Sequence, residues 1–231
     1  NRSNSGGSGS FDLLEALSLG QAIAPQFVPQ LLDEVGLAFL FAPHYYPGLA
    51  ALSPVRRSLS VPTIFNAIGP LLHPLRPRYR VMGTSSQNVH RLAAQILSSD
   101  NHTQRAMVVR AANGLDEIDP AVETRVFSVE PGTLVETVIP LRSDAAVLPP
   151  SFAGGLLNSM SSLEIFNSLL ENQAHQYIKQ LVSINATACF KTSGTVNTIE
   201  EGESLAAHLI ESGAMKAKLE QMRRAYAAIS G

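Results

Sequence analysis

The sequence predicts an α/β fold: a central, mostly parallel sheet flanked by helices, with a β-hairpin and a helical C-terminal portion. Three observations carry this. Residues 79–82 and 106–109 read as short buried strands, and residues 88–98 between them place Val89, Leu92, Ala93 and Ile96 at helical spacing. That is the pattern of a βαβ unit and hence of parallel strands. Two β-rich runs, 124–129 and 133–139, flank Pro131-Gly132, a hairpin turn. Beyond them apolar faces recur with helical period to the end of the chain.

Taken in order, residues 1–10 are almost all Ser, Gly and Asn, and a helical pattern follows from Asp12 to Leu17, with Ser10 or a neighbour as N-cap. Residues 25–35 read as a short helix opened by Pro25 and closed at Gly36. The apolar run 37–42 after it is expected to be buried. Residues 54–74 alternate Pro and Gly with short helical stretches, the composition of a hinge-like segment between two bodies. The late helices are 164–170, 181–190, 199–212 and 215–229. The third of these opens on a capping box, Thr198 with Glu201, and stops at Gly213.

The 231 residues, 45% hydrophobic and 16% charged, suffice for one good core or two small ones. Seventeen Lys and Arg against 19 Asp and Glu leave a net charge of −2, so neither nucleic acid nor an anionic membrane is the partner that charge selects. An anionic ligand has to be held locally. The lone cysteine, Cys189, excludes an intrachain disulfide and, in an apolar helical run, is expected to be a buried inert thiol. No apolar run is long enough to cross a bilayer, and cytoplasm is the default location. The six histidines show no metal-ligand spacing, and there is no catalytic triad and no Rossmann or Walker signature. With no initiator Met, the start reads as a cut end.

Three places carry chemistry. The Ser/Gly loop 1–10 brings N–H groups and hydroxyls to a helix N-terminus, which favours a phosphate; the same composition also describes a flexible tail. Arg56, held between prolines and apolar residues, offers a planar fork to a carboxylate or phosphate, or else faces solvent. Asp116 and Glu117 follow a buried strand, beyond the carboxyl ends of the strands where ligands collect in open α/β sheets. Two adjacent carboxylates there suit Mg²⁺ with an incoming diphosphate, although acids after a Gly-containing turn are also ordinary solvated helix starts.

The stretch NRSNSGGSGSFDLLEAL at 1–17, Phe39-Leu40-Phe41-Ala42-Pro43, Pro54-Val55-Arg56, Thr63-Ile64-Phe65-Asn66 with Gly69-Pro70-Leu71, and Gly114-Leu115-Asp116-Glu117 occur in one order. Together they resemble the anthranilate phosphoribosyltransferases, and a weaker echo at Ile184-Asn185-Ala186 and Ile199-Glu200-Glu201-Gly202 extends the likeness nearly to the C-terminus. The resemblance implies a phosphoribosyltransferase α/β domain over 1–231 that joins anthranilate to phosphoribosyl pyrophosphate in tryptophan biosynthesis, without a covalent protein nucleophile. It implies that Asn1, Arg2, Ser3, Asn4, Ser5, Gly6 and Ser10 grip phosphoribosyl pyrophosphate. Arg56 matches the arginine on anthranilate's carboxylate, and Asp116 and Glu117 match the pair that binds Mg²⁺. The chain departs from the family pattern at Gly6, Gly7, Tyr46 and Asn113. The family's small N-terminal helical domain and its Gly-Thr-Gly-Gly-Asp loop would both precede Asn1. The 231 residues alone are therefore expected to fold without turning over, and the homodimer the resemblance implies would form through that absent domain. A nucleoside phosphorylase of related fold and a non-catalytic paralogue acting as a binding module are the alternatives.

Overall fold

Strands β1 (Tyr79–Gly83) and β2 (Arg105–Ala111) pair in parallel, joined by helix α4 (Gln87–Ser99). This is the βαβ unit of the sequence. Strands β3 (Thr124–Glu130) and β4 (Thr133–Ile139) form the hairpin, and β3 pairs antiparallel with β2, giving one four-stranded sheet in the order β1-β2-β3-β4. The α/β class is thus observed. Among the described strands, however, the sheet is mixed, with one parallel and two antiparallel pairings. The reason is that the hairpin joins the same sheet: Val129, Phe127 and Val126 are buried and take up register opposite Ala106, Val108 and Val109.

The structure is a computed structural model and describes residues 10–20, 23–48, 69–147 and 162–230. Most of the hinge-like segment, up to residue 68, lies outside the described residues. The described helices are α1 (Ser10–Ala16), α2 (Val28–Val35), α3 (Ala42–Tyr45), α4, α5 (Ser162–Leu170), α6 (Gln176–Ser193), α7 (Ile199–Glu211) and α8 (Ala214–Ser230), with short 3-10 turns at Pro25–Phe27 and Gly69–Leu71.

The chain divides into two units. The first comprises Asn1–Val61, Leu148–Ala174 and Leu209–Gly231, and the second Pro62–Val147 and His175–His208. The core of the first gathers Leu17, Leu19, Val28, Leu31 and Val35 against Leu219, Met222 and Tyr226. Each such buried side chain stabilises by about 1.5–3 kcal/mol. Polar tethers fix the register of α8 on α2: Lys218 Nζ donates to Val35 O at 2.8 Å and Gln221 Nε2 to Glu34 O at 2.8 Å. The run 37–42 is not the buried segment its composition predicts. Leu37 is 40% exposed and residues 38–41 are half-buried, because only part of the run packs on this core while the Phe39 N–H is held by Tyr226 Oη at 3.1 Å.

In the second unit the sheet has a core on each face. Met82, Val108, Phe127 and Val129 pack with Ala93, Ala94 and Leu97 of α4. Val109, Val126 and Ile118 pack with Ile184 and Ala188 of α6. Helix α6 begins five residues earlier than its apolar pattern and runs to Ser193, with Gly194 as left-handed C-cap. Its inner face is taken by Ile184 and Ala188, which turns Cys189 outward; the cysteine is exposed, not buried. Surrounding protein still raises the thiol pKa, the opposite of an activated nucleophile. The capping box of α7 is reciprocal: Glu201 N–H donates to Thr198 Oγ1 at 3.1 Å, and Glu201 Oε2 accepts from the N–H groups of Thr198 and Asn197. Among the described residues no helix is long and apolar enough to cross a membrane.

Candidate functional site

Strand β2 ends at Ala111, and the loop that follows is built to present two acids and bury the next two residues. The turn needs Gly114, whose φ of 88° is a conformation that other residues rarely adopt. Across it Gly114 N–H donates to Ala111 O and Ala111 N–H to Leu115 O, both at 3.0 Å. Asn113 Oδ1 accepts from Leu115 N–H at 3.2 Å, an Asx turn. Asp116 and Glu117 emerge exposed. Ile118, 1% exposed, then drives its side chain into the core beside Val109 and Ile184, and Asp119 is 3% exposed.

Three further contacts hold this loop. The buried Asp119 carboxylate accepts from Asn113 Nδ2 at 2.7 Å and from Ala121 N–H at 2.8 Å, so its charge is met by donors. From α6, Asn185 Oδ1 accepts from Ile118 N–H at 2.9 Å, and Asn185 Nδ2 donates to Ile118 O at 2.8 Å. From β1, Gly83 lies so close that any side chain there would fall on the Asp116 carbonyl oxygen. The loop is also tied to the segment after β4, where Arg142 N–H donates to Pro120 O at 2.9 Å and the Arg142 side chain pairs with Asp144 and Glu203.

The electrostatics follow from that placement. Burial, and then the negative charge of Asp116 beside it, push the Glu117 carboxyl from its ordinary value of 4.5 up to about 7. Glu117 is exposed, but the protein on its other side desolvates it enough to favour the neutral form. The Tyr177 hydroxyl, fully buried, lies beside Asp119 without a hydrogen bond of normal geometry, and burial followed by the Asp119 charge raises its pKa. Three acids, Asp116, Glu117 and Asp119, therefore lie together at this loop, and only the buried one, Asp119, is met by the donors named above. Among the described residues no group of three or more His, Cys, Asp or Glu is arranged to hold a metal. A pair of exposed carboxylates is an open, partial shell. Mg²⁺, which keeps several waters and completes its octahedron with phosphate oxygens, fits that donor set; a closed zinc site does not.

The raised Glu117 pKa makes a stability prediction. A carboxyl whose folded pKa lies above its unfolded value contributes stability that is fully present below about 4.5 and is lost as pH rises through about 7. Urea midpoints of the metal-free chain are expected to fall between pH 5 and pH 7.5. In Glu117→Gln this part of the slope should disappear. Parallel midpoint-against-pH curves for the two proteins would show that Glu117 titrates normally.

Of the residues singled out in the sequence, Asp116 and Glu117 are brought together on one loop beyond the carboxyl end of β2, where the pattern placed them. Ser10 is the first residue of α1. Asn1, Arg2, Ser3, Asn4, Ser5, Gly6 and Arg56 lie outside the described residues. The sequence reading gave no role to Asp119, Asn185 and Gly83. A signal existed for the first two: an acid between Ile118 and Pro120, and a lone Asn inside the apolar helical run around Ile184, each demand a buried hydrogen-bond partner.

Comparison with known proteins adds to this geometry. The family model described as glycosyl transferase family, a/b domain, matches residues 1–216. An anthranilate phosphoribosyltransferase of Syntrophomonas wolfei is 38% identical over 224 residues, covering 96% of this chain and 65% of the relative. One from Streptococcus gordonii is 35% identical over 225 residues, covering 96% and 66%. The chain thus spans about 65% of the length of the curated relatives it matches. Among solved structures, the anthranilate phosphoribosyltransferase of Thermus thermophilus superposes with a TM-score of 0.84 at 29% identity, covering 98% of this chain and 67% of that one. The Saccharomyces cerevisiae enzyme in complex with PRPP and Mg shares the fold, with a TM-score of 0.75 at 24% identity, covering 94% of this chain and 62% of that one. These are the proteins whose motifs the sequence resembles, and with the family model matching from residue 1 to residue 216, the chain belongs to the glycosyl transferase family through its a/b domain.

Proposed function

We propose that this chain is the α/β part of an anthranilate phosphoribosyltransferase, in which the amine of anthranilate displaces pyrophosphate at the anomeric carbon of phosphoribosyl pyrophosphate. The observation that carries the reading is the Asp116–Glu117 pair, exposed on the loop that follows the carboxyl end of β2. When bound, Mg²⁺ supplies neutralising charge to the leaving diphosphate. The protein's own part is placement. Asp116 and Glu117 would hold the metal, Asn1 through Gly6 with Ser10 would take the phosphates on backbone N–H groups and hydroxyls, and Arg56 would grip the anthranilate carboxylate. Holding two reactants in line supplies much of the barrier reduction, and anthranilate's amine is nucleophilic without a strong base. Assembly as a homodimer belongs to the same proposal.

The test joins this chain to the part of the Syntrophomonas wolfei relative that lies outside the match and follows anthranilate fluorescence with Mg²⁺ and phosphoribosyl pyrophosphate. Consumption of anthranilate is expected. A folded chimera that binds neither substrate by calorimetry and consumes none would sink the reading. In the active chimera, Arg56→Lys should raise the anthranilate KM by the equivalent of about 1.5–3 kcal/mol, since an ammonium cannot reproduce the bidentate fork. A loss confined to phosphoribosyl pyrophosphate would place Arg56 in the other pocket.

A further inference from the structure

We infer that Asn185, on helix α6, is a positioning residue that sets the geometry of the Asp116–Glu117 pair; the inference rests on the reading of that pair as the Mg²⁺ carboxylates. Both N–H donors and the oxygen of the carboxamide are engaged. Its oxygen accepts from Ile118 N–H at 2.9 Å, and its nitrogen donates to Ile118 O and to Leu181 O, each at 2.8 Å. The bond to Leu181, one helical turn back, fixes how the amide projects from the helix. The two bonds to Ile118 then clamp the N–H and the C=O of the residue that directly follows Glu117.

That choice of target is informative. Packing at this place is already supplied by Ile118, Ile184 and Ala188, all buried in one cluster. An apolar side chain at 185 would serve packing as well and would suit a helix better, since Asn is a weak helix former. What Asn185 adds is directional: it fixes the peptide unit between Glu117 and Ile118, and so the direction in which the Glu117 side chain leaves the loop. Helix α6 has 18 residues, a long and rigid support. Groups that orient metal ligands in this way typically change metal affinity by about 10- to 100-fold when removed.

The experiment uses Mn²⁺ alone as probe on the 231-residue chain, counting free Mn²⁺ by electron paramagnetic resonance, with amide exchange at Ile118 as a second readout. Glu117→Gln should weaken Mn²⁺ binding, and Asn185→Ala should weaken it about tenfold while releasing the Ile118 amide to exchange. Adding Asn185→Ala to Glu117→Gln should bring no further loss, because the two act on one ligand. Ile184→Ala, next along the helix, should destabilise the fold by about 2–5 kcal/mol yet leave Mn²⁺ affinity within about twofold. Asn185→Gln keeps the amide and a better helix former but displaces the group by one methylene, so it should fold and still bind Mn²⁺ weakly. Unchanged Mn²⁺ binding in Glu117→Gln would overturn the metal reading and the inference with it. A loss in Glu117→Gln without one in either Asn185 variant would overturn the inference alone. So would an equal loss in Ile184→Ala, which would reduce Asn185 to a contributor to stability.

Discussion

Replacing Gly83 by alanine is expected to cost the fold about 3 kcal/mol and to abolish divalent-cation binding at Asp116 and Glu117 in the same step. Gly83 closes β1 opposite Val109, and the acidic loop passes directly over it, so an added Cβ would meet the Asp116 carbonyl oxygen and carbon. The obstacle is backbone, which cannot rotate away as a side-chain tip can. Either the strand end or the loop has to shift. The strand is held by its parallel ladder to β2, with Thr84 N–H donating to Val109 O at 3.1 Å just beyond it. The loop is held by the hydrogen bonds of Asn185 and of the buried Asp119. Displacement therefore breaks hydrogen bonds whichever element yields. Urea unfolding and Mn²⁺ titration of Gly83→Ala measure the two effects together. An unchanged urea midpoint would show that the loop can lift off β1 at no cost, and a lower midpoint with normal Mn²⁺ affinity would detach the acids from this contact.

How much of this was legible beforehand depended on the range over which each feature is determined. The β1-α4-β2 unit was readable because its period switches from strand to helix and back within one apolar run each. The α7 cap was readable because Thr198 and Glu201 satisfy each other within four residues. Asp116 and Glu117 were readable as a pair because a Gly-containing turn and a preceding buried strand are local signals. What failed was non-local. Whether 37–42 would be covered depended on how much surface α8 offers, and Cys189 faces outward because Ile184 and Ala188 won the inner face. The mixed sheet depended on the register of β3 against β2. The clamp from Asn185 to Ile118 spans 67 positions, and no local pattern encodes its target. The identity of both partners was visible; their meeting was not.

In the active chimera the largest functional effect is expected from Asp116→Asn combined with Glu117→Gln, which should lower kcat/KM for phosphoribosyl pyrophosphate by roughly a thousandfold, about 4 kcal/mol of transition-state stabilisation. The two substitutions keep the shape of both side chains and remove only charge. In the fold their effect should be small or favourable, because Glu117 has its carboxyl pushed up to about 7 by burial and by Asp116, so the metal-free pair repels itself. Function and stability thus move in opposite directions, a combination that unfolding cannot imitate. The loss should also be selective. If the pair holds Mg²⁺ as proposed, binding of the metal and of the diphosphate would be coupled, so calorimetry should show that Mg²⁺ raises affinity for phosphoribosyl pyrophosphate in the unaltered protein and no longer does so in the variant. Anthranilate, whose carboxylate is proposed to bind Arg56, should retain its KM within a few-fold. A variant that keeps the Mg²⁺-dependent gain in affinity would remove Asp116 and Glu117 from the metal site. A variant that loses affinity for both substrates equally would mean that charge at these two positions is not what the diphosphate recognises.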